Sequence, residues 1–241
     1  MNCRLCTREV AIVASHIIPE FLYQALYDGK HRFIQISVAE SEGDRFKQKG
    51  LREPLLCEPC EQRISVYEDY LRRLLRGGVS FAMTPDGQHL RLSDLDYPRL
   101  KLFQLSVLWR AGISSLDPFA EVKLGPHEEP IRRMLLSNDP GQVADYGCIM
   151  SVLQNDGQML EGLMVPPTRA RLAGQKAYRF VFGGLVFVYP VASAPPPQFV
   201  VEAFAQPDGT ALVRRQEIKE MGYLMDTFAK LKQQGKLESR E

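Results

Sequence analysis

Apolar residues recur at helical spacing in several separate stretches of the chain. The clearest of these predicts a helix over residues 61–75, where apolar side chains recur every three or four residues and Gly77-Gly78 ends the pattern. The helix predicted over 96–112, with Asp96 as its cap, is apolar on almost every side, which is typical of a buried helix. Further helices are predicted directly after Pro19, over residues 128–137 and over residues 218–231.

Alternating apolar and polar residues predict strands in other parts of the chain. The strongest hairpin signal lies at residues 178–189, where two alternating stretches flank Gly183-Gly184. The predicted strands elsewhere cover residues 10–14, 146–154, 158–165, 199–205 and 210–214. The polar stretch 41–50 is predicted to be an exposed loop. This mixture of helices and antiparallel hairpins indicates an α+β fold.

Composition divides the chain into two predicted domains, residues 1–80 and residues 90–235. The 241 residues are 45% hydrophobic, which is enough to form a packed core. Thirty basic residues against twenty-nine acidic ones give a formal charge of +1, so bulk charge gives no support to nucleic-acid binding. The chain has no long apolar run and a polar N-terminus, so we expect no membrane span, no signal peptide and a cytoplasmic location.

Four of the five cysteines form two pairs with the same spacing, Cys3-x-x-Cys6 and Cys57-x-x-Cys60. A Cys-x-x-Cys turn presents two thiolates to one ion, and a second such turn completes a tetrahedral zinc site. The alternatives are a redox motif or two unrelated thiol pairs, but the first pair lacks the strand-to-helix setting of redox motifs. The spacing therefore predicts one structural Zn²⁺ bound by all four cysteines. Cys148 has no partner in this pattern and is expected to be a buried apolar residue.

Residues 1–75 resemble the zinc-bearing branch of the HNH, or ββα-metal, nucleases. That family combines a first Cys-x-x-Cys, a strand ending in Asp-His-Ile-x-Pro, and a second Leu-Cys-x-x-Cys at the start of a helix. This chain has the first cysteine pair, then Ser15-His16-Ile17-Ile18-Pro19, then Leu56 before the second pair. The resemblance implies an N-terminal zinc-stabilised ββα-metal unit, followed by a mixed α+β domain with antiparallel hairpins.

The resemblance also implies a function, namely hydrolysis of phosphodiester bonds in DNA or RNA by a metal-dependent endonuclease. His16 matches the family's general base, and Glu61 is a candidate ligand for Mg²⁺ or another divalent cation. A histidine can accept the proton of water near neutral pH, and a hard cation neutralises phosphate charge. From the basic residues in and just after the predicted loop 41–50, Lys49 and Arg52 are candidate phosphate contacts, and an ordinary solvated loop is the alternative interpretation. The second domain would then select the substrate or a protein partner, in a setting such as defence or a mobile element.

Three positions depart from the family pattern, so a second function stays open. The family's middle Asn has no counterpart here, and Arg52 or Glu53 occupies its neighbourhood. Ser15 stands where the family has a metal-binding Asp, and Glu61 where it has His or Asn. The metal site is therefore either rebuilt around carboxylates or lost, and in the second case the chain is an inactive zinc module that binds nucleic acid or a protein. Glu61, Ser65 and Glu68 would share one helix face near His16. In the alternative interpretation His16 is a structural residue and Glu68 forms a surface pair with Arg72.

Overall fold

The computed structural model describes residues 1–237, which form five α-helices and three β-sheets. The α-helices are α1 Glu58–Leu75, α2 Tyr97–Ile113, α3 Glu128–Ser137, α4 Gln198–Val201 and α5 Gly222–Gln233. The 3₁₀ helices are Glu20–Leu26, Asp117–Phe119, Gly125–His127 and Ile218–Glu220. The strands before α2 are β1 Val13–His16, β2 Arg32–Gln35, β3 Arg45–Gln48, β4 Arg52–Leu56, β5 Ser80–Met83 and β6 His89–Ser93. The strands after α3 are β7 Ile149–Asn155, β8 Gln158–Met159, β9 Val165–Leu172, β10 Gln175–Phe182, β11 Leu185–Pro190 and β12 Ala211–Glu217.

The N-terminal part pairs two strands and then continues into a helix. Strand β1 lies antiparallel to β4, with the Cα of His16 opposite Arg52 and that of Ser15 opposite Glu53. Helix α1 begins two residues after β4, so both strands lead directly to its first turn. The hairpin of β2 and β3 is inserted between them. This arrangement places the end of β1, the start of β4 and the first turns of α1 in one neighbourhood.

An eight-stranded mixed sheet occupies the C-terminal part. Its order is β5-β6-β12-β7-β11-β10-β9, with β8 paired to β7. All pairings are antiparallel except that of β12 with β7, which is parallel. The β10–β11 hairpin, predicted from its Gly-Gly turn, is confirmed, and both turn glycines have positive φ.

Helix α2 lies at the centre of the buried core. The side chain of Asp96 caps it by accepting a hydrogen bond from the Arg99 amide (3.1 Å), and a long continuous run of the helix is buried. α2 contacts both α1 and α3. One buried cluster runs from Cys3 to Val213 and so includes residues from both predicted domains. The division of the chain near residues 80–90 stays a prediction.

Several predicted elements are confirmed and others are wrong. The helices predicted over 61–75, 96–112 and 128–137 are present with small changes of boundary. The strand predicted at 199–205 is wrong, because the segment after Pro197 turns into the short helix α4. The exposed loop predicted at 41–50 contains strand β3, which pairs with β2. The predicted strand 158–165 is split, since β8 ends at Met159 and β9 begins only at Val165.

Two further segments differ from the sequence prediction. The helix predicted after Pro19 is present over Glu20–Leu26, but it is a 3₁₀ helix rather than an α-helix. Strands β5 and β6 have no counterpart among the predicted elements. Over residues 1–237, no helix combines the length and the apolar character needed to cross a membrane.

Candidate functional site

The four paired cysteines come together at the start of α1. Cys3 and Cys6 lie on a turn before β1, while Cys57 caps α1 and Cys60 lies in its first turn. Their sulfur atoms all lie within 4.8 Å of one another, and the Sγ atoms of Cys6 and Cys57 are 3.8 Å apart. Two sulfurs bound tetrahedrally to one Zn²⁺ at about 2.3 Å are about 3.8 Å apart. The cluster can therefore bind a metal ion such as zinc, and it is compatible with a zinc module.

Hydrogen bonds prepare one of these thiols for metal binding. Burial raises the pKa of Cys6, but hydrogen bonds from the Arg8 amide and guanidinium outweigh this effect and lower the pKa to about 6. Burial raises the pKa of Cys57 and of Cys60. Metal ligation requires thiolates, so zinc binding at neutral pH would release protons from the more buried cysteines.

His16 ends strand β1 and faces a carboxylate that the sequence prediction missed. Its Nε2 atom lies 2.8 Å from Oε2 of Glu20, in the 3₁₀ helix that follows Pro19. Burial lowers the pKa of His16, against the attraction of Glu20, so the imidazole is neutral at pH 7. Glu20 is held in place because it also accepts hydrogen bonds from the Tyr27 hydroxyl and from the Gly50 amide (2.9 Å). The spacing of four residues between His16 and Glu20 was the only sequence signal for this pair.

Two of the positions that depart from the HNH pattern contact each other. The Ser15 hydroxyl donates a hydrogen bond of 2.7 Å to Oε2 of Glu61, one turn into α1. Ser15 is fully buried and Glu61 is half-buried. Ser65, predicted on the same face, is exposed, and its hydroxyl donates to the carbonyl of Gln62 (2.8 Å). The structure therefore brings Glu61 to the end of β1 and leaves Ser65 out.

Glu68 pairs with a residue from α2 rather than with its neighbour on α1. Its Oε1 lies 2.7 Å from Nη2 of Arg110, whose side chain is completely buried. The predicted pair of Glu68 with Arg72 is wrong, because Arg72 contacts Asp69 instead (2.6 Å). Burial raises the pKa of Glu68, and the Arg110 guanidinium opposes that rise. The same guanidinium donates through Nη1 to the carbonyl of His16 (2.5 Å).

The two candidate phosphate contacts are both exposed on the surface. Lys49 is exposed in the turn from β3 to β4 and has a left-handed backbone, with φ of 64°. Arg52 is exposed at the start of β4, directly opposite His16 in the β1–β4 pair. The positively charged side chain of Arg52 therefore lies at the same edge of the molecule as the His16 imidazole.

The His16 neighbourhood combines a neutral imidazole, three carboxylates and a buried guanidinium. The carboxylate oxygens around His16 do not come close enough together to form a second cluster of metal ligands by themselves. Across residues 1–237, the four cysteines are the one group of three or more His, Cys, Asp and Glu side chains close enough to share an ion. No protein-family model, no curated protein and no solved structure matches the chain.

Proposed function

We propose that the chain is a metal-dependent endonuclease of the HNH type, hydrolysing phosphodiester bonds in DNA or RNA with His16 as general base. The observation that carries this proposal is the setting of His16. It ends the strand that leads away from the first cysteine pair, its Nε2 lies 2.8 Å from Glu20, and it lies close to two helix carboxylates. A nuclease base needs this combination of fixed position and a neutral ring.

The contact with Glu20 assigns separate roles to the two ring nitrogens. Nε2 lies 2.8 Å from Oε2 of Glu20 without hydrogen-bond geometry, so a rotation of the ring that aims the Nε2 proton at this carboxylate would leave Nδ1 to accept a proton from water. Because burial keeps the ring unprotonated at neutral pH, no proton has to leave before the reaction. The carboxylate then stabilises the imidazolium that forms, as an acidic partner does for other catalytic histidines.

Ser15 and Glu61 fit the second part of the proposal, a divalent cation. The Ser15 hydroxyl donates a 2.7 Å hydrogen bond to Glu61, so a cation bound by both oxygens would replace that hydrogen bond. The family pattern has a carboxylate on the strand and Asn or His on the helix, so this chain keeps one carboxylate but moves it to the helix. Mg²⁺ keeps several waters and needs only one or two protein ligands. When bound, the cation would supply charge neutralisation at the phosphate and the leaving oxygen.

Arg52 and Lys49 supply the substrate contact in this proposal. Both are exposed, and Arg52 lies opposite His16 across the β1–β4 pair. A phosphate bound by Arg52 would place the adjoining backbone of the nucleic acid near the imidazole. The near-neutral charge of the whole chain predicts modest affinity that depends on a few such contacts.

A second candidate, a zinc module that binds nucleic acid or a protein without cleaving, is favoured by one specific observation. The carboxylate of Glu61 already accepts a hydrogen bond from Ser15, and that of Glu68 is already ion-paired with Arg110. A site with its carboxylates paired inside the protein is stable without a cation. This candidate predicts that His16 can be replaced without loss of function.

A cleavage assay separates the two candidates. The purified zinc-loaded chain is incubated with plasmid DNA, single-stranded DNA and RNA in Mg²⁺, Mn²⁺ or Ni²⁺, beside the His16→Gln and His89→Gln variants. His89 is a suitable control because it is a surface histidine beside another carboxylate, Asp86 (3.8 Å). We expect the wild type and His89→Gln to cleave, and His16→Gln to be slower by a factor of about 100 or more.

Each other outcome has a defined meaning. Equal cleavage by His16→Gln and the wild type contradicts the assignment of His16. Binding of nucleic acid without cleavage in any metal supports the zinc module instead. Cleavage by Glu61→Gln that needs no more metal than the wild type removes the proposed cation site.

A further inference from the structure

We infer that Arg110, on helix α2 outside the region that resembles the HNH family, is a positioning residue for His16. The inference rests on the proposed nuclease function and extends it to the C-terminal part of the chain. It starts from an unusual burial, since the Arg110 side chain has no exposed surface at all. A buried guanidinium is tolerated only where its N–H groups and its charge are both satisfied.

The contacts of Arg110 show what it holds. Nη1 donates to the His16 carbonyl (2.5 Å), and Nη2 lies 2.7 Å from Oε1 of Glu68. Nε and Nη2 also donate to the carbonyl and hydroxyl of Ser106, one turn earlier on α2 (3.2 and 3.3 Å). The Ser106 contacts hold the guanidinium against its own helix. From this position Nη1 reaches β1 and Nη2 reaches α1.

Arg110 therefore connects three elements, β1, α1 and α2, whose relative positions the proposed reaction depends on. His16 is the last residue of β1, and holding its carbonyl sets the point from which its side chain projects. Glu68 lies on α1, two turns after Glu61, so the same guanidinium fixes the helix that carries the candidate metal ligand. The separation of base and cation site therefore depends on one side chain from α2.

Arginine is specifically suited to this role. Its planar fork reaches a carbonyl and a carboxylate at the same time, whereas a lysine offers one nitrogen and satisfies only one of them well. Arg110→Lys keeps the charge that neutralises Glu68, so it should preserve folding while loosening His16. An error of about 1 Å in the position of a catalytic group can cost about 100-fold in rate.

The test compares Arg110→Lys with Arg99→Lys in the cleavage assay. Arg99 is a matched control because it lies on the same helix but is exposed and pairs only with Asp96 (3.1 Å). We expect Arg110→Lys to keep its zinc and its Trp109 fluorescence, to lose between about tenfold and 100-fold in kcat, and to keep its KM. Arg99→Lys should match the wild type in all four measurements.

A double-mutant cycle distinguishes positioning from a general structural effect. If Arg110 acts through His16, the Lys substitution should cause a much smaller loss of residual cleavage in the His16→Gln background than in the wild type, with only its effect through Glu68 and α1 remaining. An equal loss in both backgrounds overturns the inference, as does unchanged kcat in Arg110→Lys. If Arg110→Lys fails to fold, Ser106→Ala replaces it, since that change frees Nη2 from its anchor but keeps the ion pair. Unchanged kcat in Ser106→Ala then overturns the inference.

The same experiment separates failure of this inference from failure of the proposed function. A wild-type chain that holds zinc but cleaves no substrate overturns the nuclease function and the positioning role together. If the wild type cleaves and Arg110→Lys cleaves equally well, the positioning role alone is overturned. Cleavage by the wild type therefore tests the proposed function, and the ratio of the Arg110→Lys and wild-type cleavage rates tests the role of Arg110.

Discussion

Lys101 and Arg110 are both basic residues buried on α2, but their surroundings differ. Arg110 has a carboxylate partner in Glu68, whereas Lys101 donates only to the main-chain carbonyls of Gln142 and Val143. When an ammonium group is buried without an anionic contact, its hydrogen-bond partners recover less free energy than the loss of hydration costs. Burial accordingly lowers the pKa of Lys101 to about 8, although nearby acidic groups oppose the shift.

This lowered pKa predicts a pH-dependent difference in stability between the wild type and Lys101→Met. Between about pH 8 and pH 10.4 the unfolded chain keeps a proton on Lys101 that the folded chain has released, so folding becomes more favourable as pH rises. We expect the unfolding free energy of the wild type, relative to Lys101→Met, to increase by about 2 kcal/mol from pH 7.5 to pH 10. Urea denaturation at both pH values measures it. A difference that stays constant or shrinks would contradict the assignment.

A second residue-scale prediction concerns Gly147, where the chain passes against a buried ring. A Cβ atom at this position would lie 2.1 Å from Cδ2 of Phe204, which is 2% exposed and cannot move outward freely. We expect Gly147→Ala to lower the unfolding free energy by about 1–3 kcal/mol, the usual cost of overpacking. Gly29→Ala is the control, since nothing lies within 4 Å of its Cβ. Equal stability of both variants would show that the ring adjusts without cost.

At the scale of elements, the first turn of α1 depends on the cysteine cluster. Cys57 caps this helix without a side-chain hydrogen bond to its backbone, and Cys60 lies within the first turn. A bound metal would hold this end of the helix to the turn of Cys3 and Cys6. Because zinc binding is coupled to folding in such modules, the metal and the helix should be lost together.

Substituting a cysteine of the cluster should therefore change the metal content of the protein, whereas substituting the buried Cys148 should not. We expect Cys60→Ala to lose bound zinc and to unfold at a urea concentration well below the wild type, and Cys148→Ala to keep one zinc per chain. Both side chains are at least 96% buried, so the comparison is matched for burial. Elemental analysis of protein purified without added metal measures the content. Zinc retained by Cys60→Ala, or absent from the wild type, would remove the basis of the zinc module.

The sequence predicted those elements whose signals are local. Helix α3 was predicted at its full length, Glu128–Ser137, and its buried apolar residues lie on one face. The wrong strand at 199–205 arose because Phe199, Val200 and Val201 favour strands, although the chain forms a helical turn there. Strands β5 and β6 were missed although Pro85-Asp86-Gly87 is a turn signal between alternating residues.

The candidate site shows the same limit. The cysteine cluster could be predicted because each pair is a local motif, and Glu61 because it follows directly after one of them. Glu20 had only a weak signal, the spacing of four residues after His16. Arg110 had none, since it is 94 residues from His16 in the chain and its apolar neighbours predicted packing alone. Contacts set by tertiary packing leave no pattern in a single sequence.

At the scale of the whole molecule, the N-terminal part is held to α2 and α3 by polar contacts as well as by the shared core. Arg63 donates to the carbonyl of Leu136 (2.8 Å), and Ser114 donates to Glu53 (2.8 Å). Arg132 on α3 donates to the carbonyl of Leu5, beside the second cysteine. Loss of the metal should therefore disturb more than the turns that carry the cysteines.

The single tryptophan allows this prediction to be checked. Trp109 lies on α2, is fully buried and reports on the core rather than on the cysteine cluster. We expect a zinc chelator to lower the urea midpoint of the Trp109 fluorescence change and of the far-UV circular dichroism change together, because both parts unfold as one unit. A control titration with a chelator already saturated with zinc should leave both midpoints unchanged. Fluorescence that keeps its midpoint after chelation would show independent folding of the two parts.

The position of β12 in the large sheet has a consequence for how the chain is made. β12 is the last strand in the sequence, but it lies between β6 and β7 and joins the β5–β6 hairpin to the remaining strands. On the ribosome, residues 80–93 therefore emerge long before the segment that completes their hydrogen bonding. A chain truncated before residue 211 would leave both edges of this hairpin unpaired, beside the side chains of Phe81 and Met83, which are exposed even in the complete sheet. Such a product would be a substrate for chaperones and proteases, so an early stop codon would deplete the protein rather than yield a shortened form.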